Sequence, residues 1–260
     1  MYDTPLRVIA SDSGIGFVFN GSMGRSRIDS EDKKVSGNTQ KRWTIFNIHE
    51  LRPDVWKQAG LVVLAVLGMG FFLSFLIDVN LGTDPCTFMN VNLARVIGTS
   101  LGNWQLFLNF ILFILVILFT GWKLIGIGTI ANMVLIGYVA DFCRMLWDMF
   151  IPGSFFTDPL PRAVIFVVAL LGFTVSASVY MNGEMGVSPY DGLAFILGNK
   201  LRDHIPYFIV RIAYDGLAVV IGFIAGGKPN IGTIALTFAL GPMVSFVGKK
   251  MRKAKQSRNK

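Results

Sequence analysis

The sequence predicts an all-α polytopic membrane protein with about six transmembrane helices, arranged as two inverted three-span repeats, each with a short re-entrant or interfacial helix. Composition, long apolar segments and an internal repeat support this prediction. Hydrophobic residues make up 53% of the 260 residues and charged residues 15%, whereas soluble domains carry about 25% charged residues. The apolar residues form blocks of the roughly 20 residues that cross a hydrocarbon core, which excludes a soluble enzyme.

The apolar blocks differ in length, and the difference separates spans from shorter helices. Two segments, at about 84–98 and 188–202, are apolar but interrupted by polar residues such as Asn90 and Lys200. Their length of about 15 residues suits helices that re-enter the membrane or lie on its surface. The longer blocks are expected to span the bilayer at about 58–78, 104–121, 124–147, 162–182, 206–226 and 229–248.

Composition also divides the chain into regions. The N-terminal region is polar without a sustained period, and we expect a disordered cytoplasmic tail that ends in a short helix around 48–57. No signal peptide is predicted, and Met23 is an alternative start, which would make the first 22 or so residues no part of the protein. The predicted regions are the tail 1–54, membrane repeat 1 at 55–148, membrane repeat 2 at 162–250 and a basic cytoplasmic tail at 251–260.

Positive charge predicts the orientation. With six spans, both tails lie on the same side of the membrane, and this side carries most of the Lys and Arg residues, including the cluster in 249–255. Because cytoplasmic segments carry an excess of Lys and Arg, we expect a multi-pass protein of the cytoplasmic membrane with both termini inside. The net charge is +8, and no nucleic-acid-binding motif accompanies the basic C-terminal tail. Membrane topology therefore explains this tail better than nucleic-acid binding, and the tail also suits contact with anionic headgroups of the lipid bilayer.

The two halves of the membrane region repeat each other after a shift of 104 residues. Residues 127–131 and 231–235 are identical, and several Gly, Ser and Pro positions align in register, for example Gly82 with Gly186 and Pro85 with Pro189. Each copy holds three spans, an odd number, so the second copy must be inverted relative to the first. Inverted repeats of this kind are a recurring architecture of secondary transporters.

Each repeat breaks after its first span and opens its short helix with Gly-x-x-Pro. Asp84 and Ser188 suit the N-cap position, and Pro85 and Pro189 suit the first helical position. Two helix starts then direct free N–H groups and positive dipole ends toward one region, which favours an anionic group there. Ser188 with Asp191 resembles a capping box, and the alternative is that Asp84 and Asp191 are simple caps.

Arg211 and Asp215 lie four residues apart inside the fifth predicted span, on one helical face. A charge in mid-span costs roughly 2.5–3.5 kcal/mol, and such groups usually pair or face a cavity. The pair therefore either binds a substrate or coupling ion or is a neutral structural pair. Asp141 and Arg144, three residues apart near the end of the third span, are interpreted as a structural pair.

One Gly-Thr turn opens the last span of each repeat, Gly128-Thr129 in the first and Gly232-Thr233 in the second. Small residues let membrane helices pack closely, so we interpret these as structural turns rather than ligand contacts.

The chain has two Cys and two His residues, which excludes a Cys/His zinc cluster, haem or an iron–sulfur site. We therefore expect no metal and no cofactor. Cys86 and Cys143 are interpreted as free thiols, with a disulfide as the alternative.

Three segments together resemble the YczE/YyaS/YitT-like bacterial integral membrane proteins: 186–193, 210–215 and 226–234. The resemblance covers about residues 60–248 and implies a bacterial membrane protein, usually described as a membrane or transport protein, without a defined substrate. Two positions depart from the family pattern. Thr87 stands where the family motif usually has Asp, and Asp215 stands where Glu is more common.

We expect a secondary transporter or permease for a small, anionic molecule, with its site between the repeats. Arg211 is expected to contact the anionic group, and Asp191 or Asp215 to take a proton or cation. The alternative is an accessory or regulatory membrane protein that binds a protein partner. No nucleophile–base set is recognisable, so no enzyme is predicted, and a homo-oligomer is compatible with the sequence. The predicted substrate-binding residues are Arg211, Asp215, Ser188, Pro189, Tyr190, Asp191, Asp84 and Pro85.

Overall fold

The computed structural model describes residues 53–201 and 204–238, apart from the side chains of Pro53, Asp54 and Lys123. The predicted tail 1–54 therefore lies almost entirely outside the described residues, as do the first half of the expected short helix at 48–57, the end of the sixth span and the basic tail 251–260. Residues 53–57 belong to a long helix, Pro53–Val79. All the regular secondary structure of the described residues is helical. The all-α prediction is confirmed for this part of the chain.

The helices follow one another with short connections. In chain order they are α1 Pro53–Val79, α2 Pro85–Ile97, α3 Leu101–Thr120, α4 Ile127–Phe150, the single turn α5 Ser154–Thr157, α6 Pro159–Asn182, α7 Pro189–Leu201 and α8 Tyr207–Ile224, with a 3-10 turn at Gly121–Leu124. A further helix, α9, begins at residue 231 and is described to residue 238.

Five of these helices, α1, α3, α4, α6 and α8, are long and apolar enough to cross a membrane. They match the first five predicted spans to within a few residues at each end. The sixth predicted span, 229–248, is described only at its beginning, as α9. Helices α2 and α7 have 13 residues each, too few to cross a hydrocarbon core. The chain is therefore a multi-pass membrane protein.

The order of helices in the first half recurs in the second. Helices α2 and α7 have equal length and begin at Pro85 and Pro189, which aligned in the sequence repeat. The chain segments before them also share backbone geometry. Asn80 and Glu184 have φ angles of 47° and 49°, and two residues later the φ angles of Gly82 and Gly186 are 146° and 102°. The break after the first helix of each half is thus built in the same way.

Two apolar clusters hold the helices together. The first packs α1 against α4 and α6, and α1 contributes its fully buried Val62 and Val66. The second lies between α2, α3, α7 and α8 and is centred on Met89, Tyr190 and Ala218. Because this second cluster contains the starts of both short helices, it positions the predicted site residues.

The predicted pairing of Asp141 with Arg144 is wrong. The Nε atom of Arg144 lies 2.7 Å from Oδ1 of Asp78 and joins α4 to α1, while Oδ2 of Asp141 accepts a hydrogen bond from the backbone N–H of Gly102 at 2.6 Å. A spacing of three puts two side chains on one helical face, but partners on neighbouring helices satisfy both groups here. Cys143 and the other described cysteine, Cys86, are free.

Candidate functional site

Helix α2 begins with the predicted cap, and this cap leaves one carboxylate oxygen unused. Oδ1 of Asp84 accepts a hydrogen bond from the backbone N–H of Thr87 at 3.0 Å, and Pro85 occupies the first turn. Oδ2 of Asp84 is buried and has no hydrogen-bond partner. Burial raises the pKa of Asp84, the hydrogen bonds from Thr87 lower it, and the negative charges of Asp215 and Asp191 raise it further.

Helix α7 begins with a reciprocal cap. Oγ of Ser188 accepts a hydrogen bond from the backbone N–H of Asp191 at 3.1 Å and donates one to Oδ2 of Asp191 at 2.7 Å. Pro189 is buried in the first turn. The side chain of Asp191 is therefore fixed by its own helix start, and its other oxygen, Oδ1, points to a partner on α8.

That partner is Arg211, which lies between two carboxylates. Its Nη1 atom lies 2.6 Å from Oδ1 of Asp191, and its Nε atom lies 2.9 Å from Oδ2 of Asp215. The hydroxyl of Tyr190 donates a hydrogen bond of 2.9 Å to Oδ1 of Asp215. We call these residues, with Ser188, the Arg211 network. Charge-assisted bonds of this kind are roughly twice as strong as neutral ones, so they fix the orientation of α8 against α7.

Aromatic rings enclose the network on one side. The rings of Tyr190 and Tyr214 have centroids 4.6 Å apart, and the guanidinium carbon of Arg211 lies 5.7 Å from the centroid of the Tyr190 ring, within cation–π range. Burial raises the pKa of the Tyr190 hydroxyl, so this group stays protonated and acts as the donor to Asp215.

The two short helices run along α8 from its middle toward opposite ends. At the start of α2, Cys86 lies close to Tyr214, and near its end Arg95 donates a hydrogen bond of 3.1 Å to the carbonyl of Gly226, just beyond α8. Helix α7 begins where Tyr190 bonds to α8, and its Gly198 packs against Tyr207, the first residue of α8. The starts of α2 and α7 therefore meet at the middle of α8.

The Arg211 network belongs to the second half alone. The positions 104 residues before Asp191, Arg211 and Asp215 are occupied by Thr87, Phe107 and Ile111. The first half contributes the carboxyl of Asp84, which interacts electrostatically with Asp191 and Asp215. One guanidinium thus stands among three carboxyl groups, and the two helix starts add partial positive charge through their dipoles.

The Gly-Thr turns hold the chain breaks of the opposite halves. The backbone N–H of Gly128 donates to the carbonyl of Met185 at 2.7 Å, and the backbone N–H of Thr83 donates to Oγ1 of Thr233 at 3.3 Å. Thr129 and Thr233 are both buried, and a side chain at Gly232 would collide with the carbonyl of Leu81. The interpretation of Gly128, Thr129, Gly232 and Thr233 as structural turns stays a prediction.

Sequence reasoning missed Tyr207, which interacts with Arg211, and two further residues beside the network, Cys86 and Tyr214. The sequence contains a feature that could have identified Cys86 and Tyr214. Tyr214 lies three residues after Arg211, on the same face of α8, and Cys86 aligns with Tyr190 in the internal repeat. No group of three or more His, Cys, Asp or Glu side chains in the described part of the chain could hold a metal ion.

Replacing Tyr190 by Phe is expected to lower the free energy of unfolding by about 1–3 kcal/mol, because a buried carboxylate oxygen of Asp215 loses a hydrogen-bond donor. Thermal unfolding of the purified protein in detergent measures this loss. Tyr138→Phe is the matched control, since the Tyr138 hydroxyl bonds to Asn103 at an exposed position. Equal stability of the two variants would contradict a role for Tyr190 in holding Asp215.

Comparisons with known proteins place the chain in a family without an assigned function. A family model described as a family of unknown function, DUF6198, matches residues 56–249. The chain is 27% identical to an uncharacterized protein of Haemophilus influenzae (strain ATCC 51907 / DSM 11121 / KW20 / Rd) over 190 residues, 72% of this chain and 80% of that protein.

Two proteins of Bacillus subtilis (strain 168) are similarly related. The chain is 26% identical to the uncharacterized protein YyaS over 185 residues, 71% of this chain and 88% of YyaS. It is 27% identical to the uncharacterized membrane protein YczE over 194 residues, 72% of this chain and 81% of YczE. No solved structure matches the chain.

Proposed function

The chain belongs to DUF6198, a family of unknown function, and we propose that it is a secondary transporter or permease for a small molecule with an anionic group. The predicted resemblance to YczE/YyaS-like membrane proteins is confirmed, but it supplies no substrate. The single observation that carries the proposal is the meeting of two helix starts, from α2 and α7, at the half-buried Arg211 network.

The proposed architecture is a pair of inverted repeats with re-entrant short helices. Helix α8 is long and apolar enough to span the membrane, so its middle would lie near the bilayer midplane. Helices α2 and α7 start there and run to opposite ends of α8, as half-helices of opposite orientation would. Secondary transporters commonly bind their substrates near the midplane, at the starts of such interrupted helices.

Asp191 is the proposed gate of the binding site. Without substrate, Arg211 is neutralised by carboxylates of the chain itself. The side chain of Asp191 is 24% exposed, whereas that of Asp215 is 9% exposed and is also held by Tyr190. A substrate anion would therefore replace Asp191 on Arg211 more easily than Asp215. Since Asp191 belongs to the start of α7, its release would couple substrate binding to movement of the short helix.

A thermal-shift screen of the purified protein against small carboxylates, phosphates, sulfonates and antibiotics tests the proposal. A ligand that binds the native state raises its apparent stability by mass action. Arg211→Lys keeps the positive charge but loses the planar fork that holds two carboxylates, so we expect at least about tenfold weaker binding of any hit. Arg144→Lys is the matched control, because Arg144 pairs with Asp78 outside the network and should leave the affinity unchanged.

The outcomes separate the candidate functions. A hit that binds Arg211→Lys as tightly as wild type would locate the binding site elsewhere. A hit that binds but is not taken up by proteoliposomes would contradict transport. A well-folded sample that binds no small molecule but co-purifies reproducibly with one protein would support the accessory-protein alternative.

A further inference from the structure

Among the described residues, Asp84 is the carboxyl group near the Arg211 network that Arg211 does not neutralise. The two bonds that Arg211 makes to carboxylates go to Asp191 and Asp215. Asp84 uses only Oδ1, to cap α2 through Thr87, and its buried Oδ2 has no partner. The cap therefore explains one oxygen of Asp84 and leaves the other unexplained.

The groups facing Asp84 make a negative charge there unfavourable. From α7 and α8 it faces the carboxyl groups of Asp191 and Asp215, and on its own helix it neighbours the thiol of Cys86. Across the preceding break, the backbone N–H of Thr83 donates a hydrogen bond of 3.3 Å to the uncharged hydroxyl of Thr233. A buried carboxylate without a paired cation is costly, and the usual response is to take up a proton.

We propose that Asp84 is a proton-binding site, and that its proton is the coupling ion of the transporter; this inference rests on the function proposed above. A substrate anion that joins Arg211 adds a negative charge to the site, and a proton on Asp84 compensates for it. A proton needs a single oxygen, which is what Asp84 offers. Among the described side chains no set of three acidic, Cys or His groups gathers to hold a metal ion.

Carbodiimide labelling of the wild-type protein without substrate tests the proton directly. Carbodiimides react with protonated carboxyl groups in apolar surroundings and form a stable adduct that mass spectrometry locates. We expect labelling of Asp84 at pH values where an ordinary Asp, with a pKa of about 3.9, is ionised. Labelling should fall about tenfold for each pH unit above the pKa of Asp84. Asp148, which is exposed, is the internal control and should remain unlabelled.

Asp84→Asn provides the second test, because Asn keeps the N-cap and imitates the protonated carboxyl. A raised pKa in the folded state means that the stability contributed by the proton is lost as the pH rises from about 4 to that pKa. The wild-type melting temperature should therefore fall over this window, and the fall should be absent from Asp84→Asn. Melting curves in detergent at a series of pH values, in potassium chloride and in sodium chloride, measure it.

Two results would overturn the proposal. One is an unlabelled Asp84 in the wild-type protein at every pH above 5. The other is stabilisation of the wild type by sodium rather than by acid, lost in Asp84→Asn, which would assign a metal cation to the site. Neither experiment contains a substrate, so proton binding and transport can fail separately. If Asp84 binds a proton but the thermal-shift screen finds no ligand, the result counts against transport and leaves proton binding by Asp84 in place.

Discussion

Replacing Gly186 by Ala is expected to prevent the membrane domain from folding, with a loss of more than about 4 kcal/mol, a size seen only when a specific structural requirement is broken. Gly186 has a φ angle of 102°, a region that costs an L-residue about 1–2 kcal/mol. A Cβ atom there would also collide with the backbone of Gly126 and the hydroxyl of Thr129. The hydrogen bonds from Gly128 to Met185 and from Val187 to Leu124 prevent the two segments from separating.

Gly98→Ala is the matched control for this prediction. Gly98 also has a positive φ angle, 75°, but a Cβ atom there would meet nothing within 4 Å. Its substitution therefore tests the conformational cost without the collision, and we expect a loss of only about 1–2 kcal/mol. The yield of monodisperse protein in detergent and its melting temperature are the measurements. Equal stability of Gly186→Ala and Gly98→Ala would contradict the close packing of the chain around Gly186 on the Gly-Thr turn at 126–129.

Replacing Arg211 by Gln is expected to destabilise the protein by up to about 3–5 kcal/mol, because removing one partner of a largely buried ion pair leaves an uncompensated charge. Here two carboxylates, Asp191 and Asp215, lose their shared cation, and Asp84 lies close to both. Chemical or thermal unfolding in detergent measures the loss. The cost arises from charge left behind rather than from a lost contact, and a double variant can separate the two.

Arg211→Gln combined with Asp215→Asn removes one positive and one negative charge together. We expect this double variant to recover at least half of the stability lost in Arg211→Gln, since the negative charge near Asp191 is reduced again. Arg144→Gln is the control at the Arg144–Asp78 pair, and it should cost less because it leaves one carboxylate without its cation, whereas Arg211→Gln leaves two. Failure of the double variant to recover would mean that Arg211 acts mainly through packing.

Much of the fold follows from local features of the sequence. The lengths of the apolar segments predicted the five described spans and the two short helices, because the thickness of the bilayer sets how many residues a span needs. The caps at Asp84 and Ser188 were also predictable, since a cap is made by residues within one turn of each other. The same reasoning identified Arg211 and Asp215, because a charge inside an apolar span requires a partner.

Partners distant in sequence could not be predicted in this way. The spacing of Asp141 and Arg144 indicated a pair. Arg144 instead bonds to Asp78, which is 66 residues away in the sequence. The bond between Asp191 and Arg211 and the position of Asp84 beside them depend on how α2 and α7 pack against α8. No local pattern encodes these contacts, since each joins helices that are separate in sequence.

Hydrophobic length, capping residues and the 104-residue repeat were thus sufficient to establish a helical membrane protein with two similar halves, because each depends on residues close in sequence or on direct alignment. Only the packed structure decided which carboxyl groups neutralise Arg211 and which one, Asp84, is left without a cation. Electrostatic interactions depend on distance in space and on burial, and packing alone brings α2, α7 and α8 together.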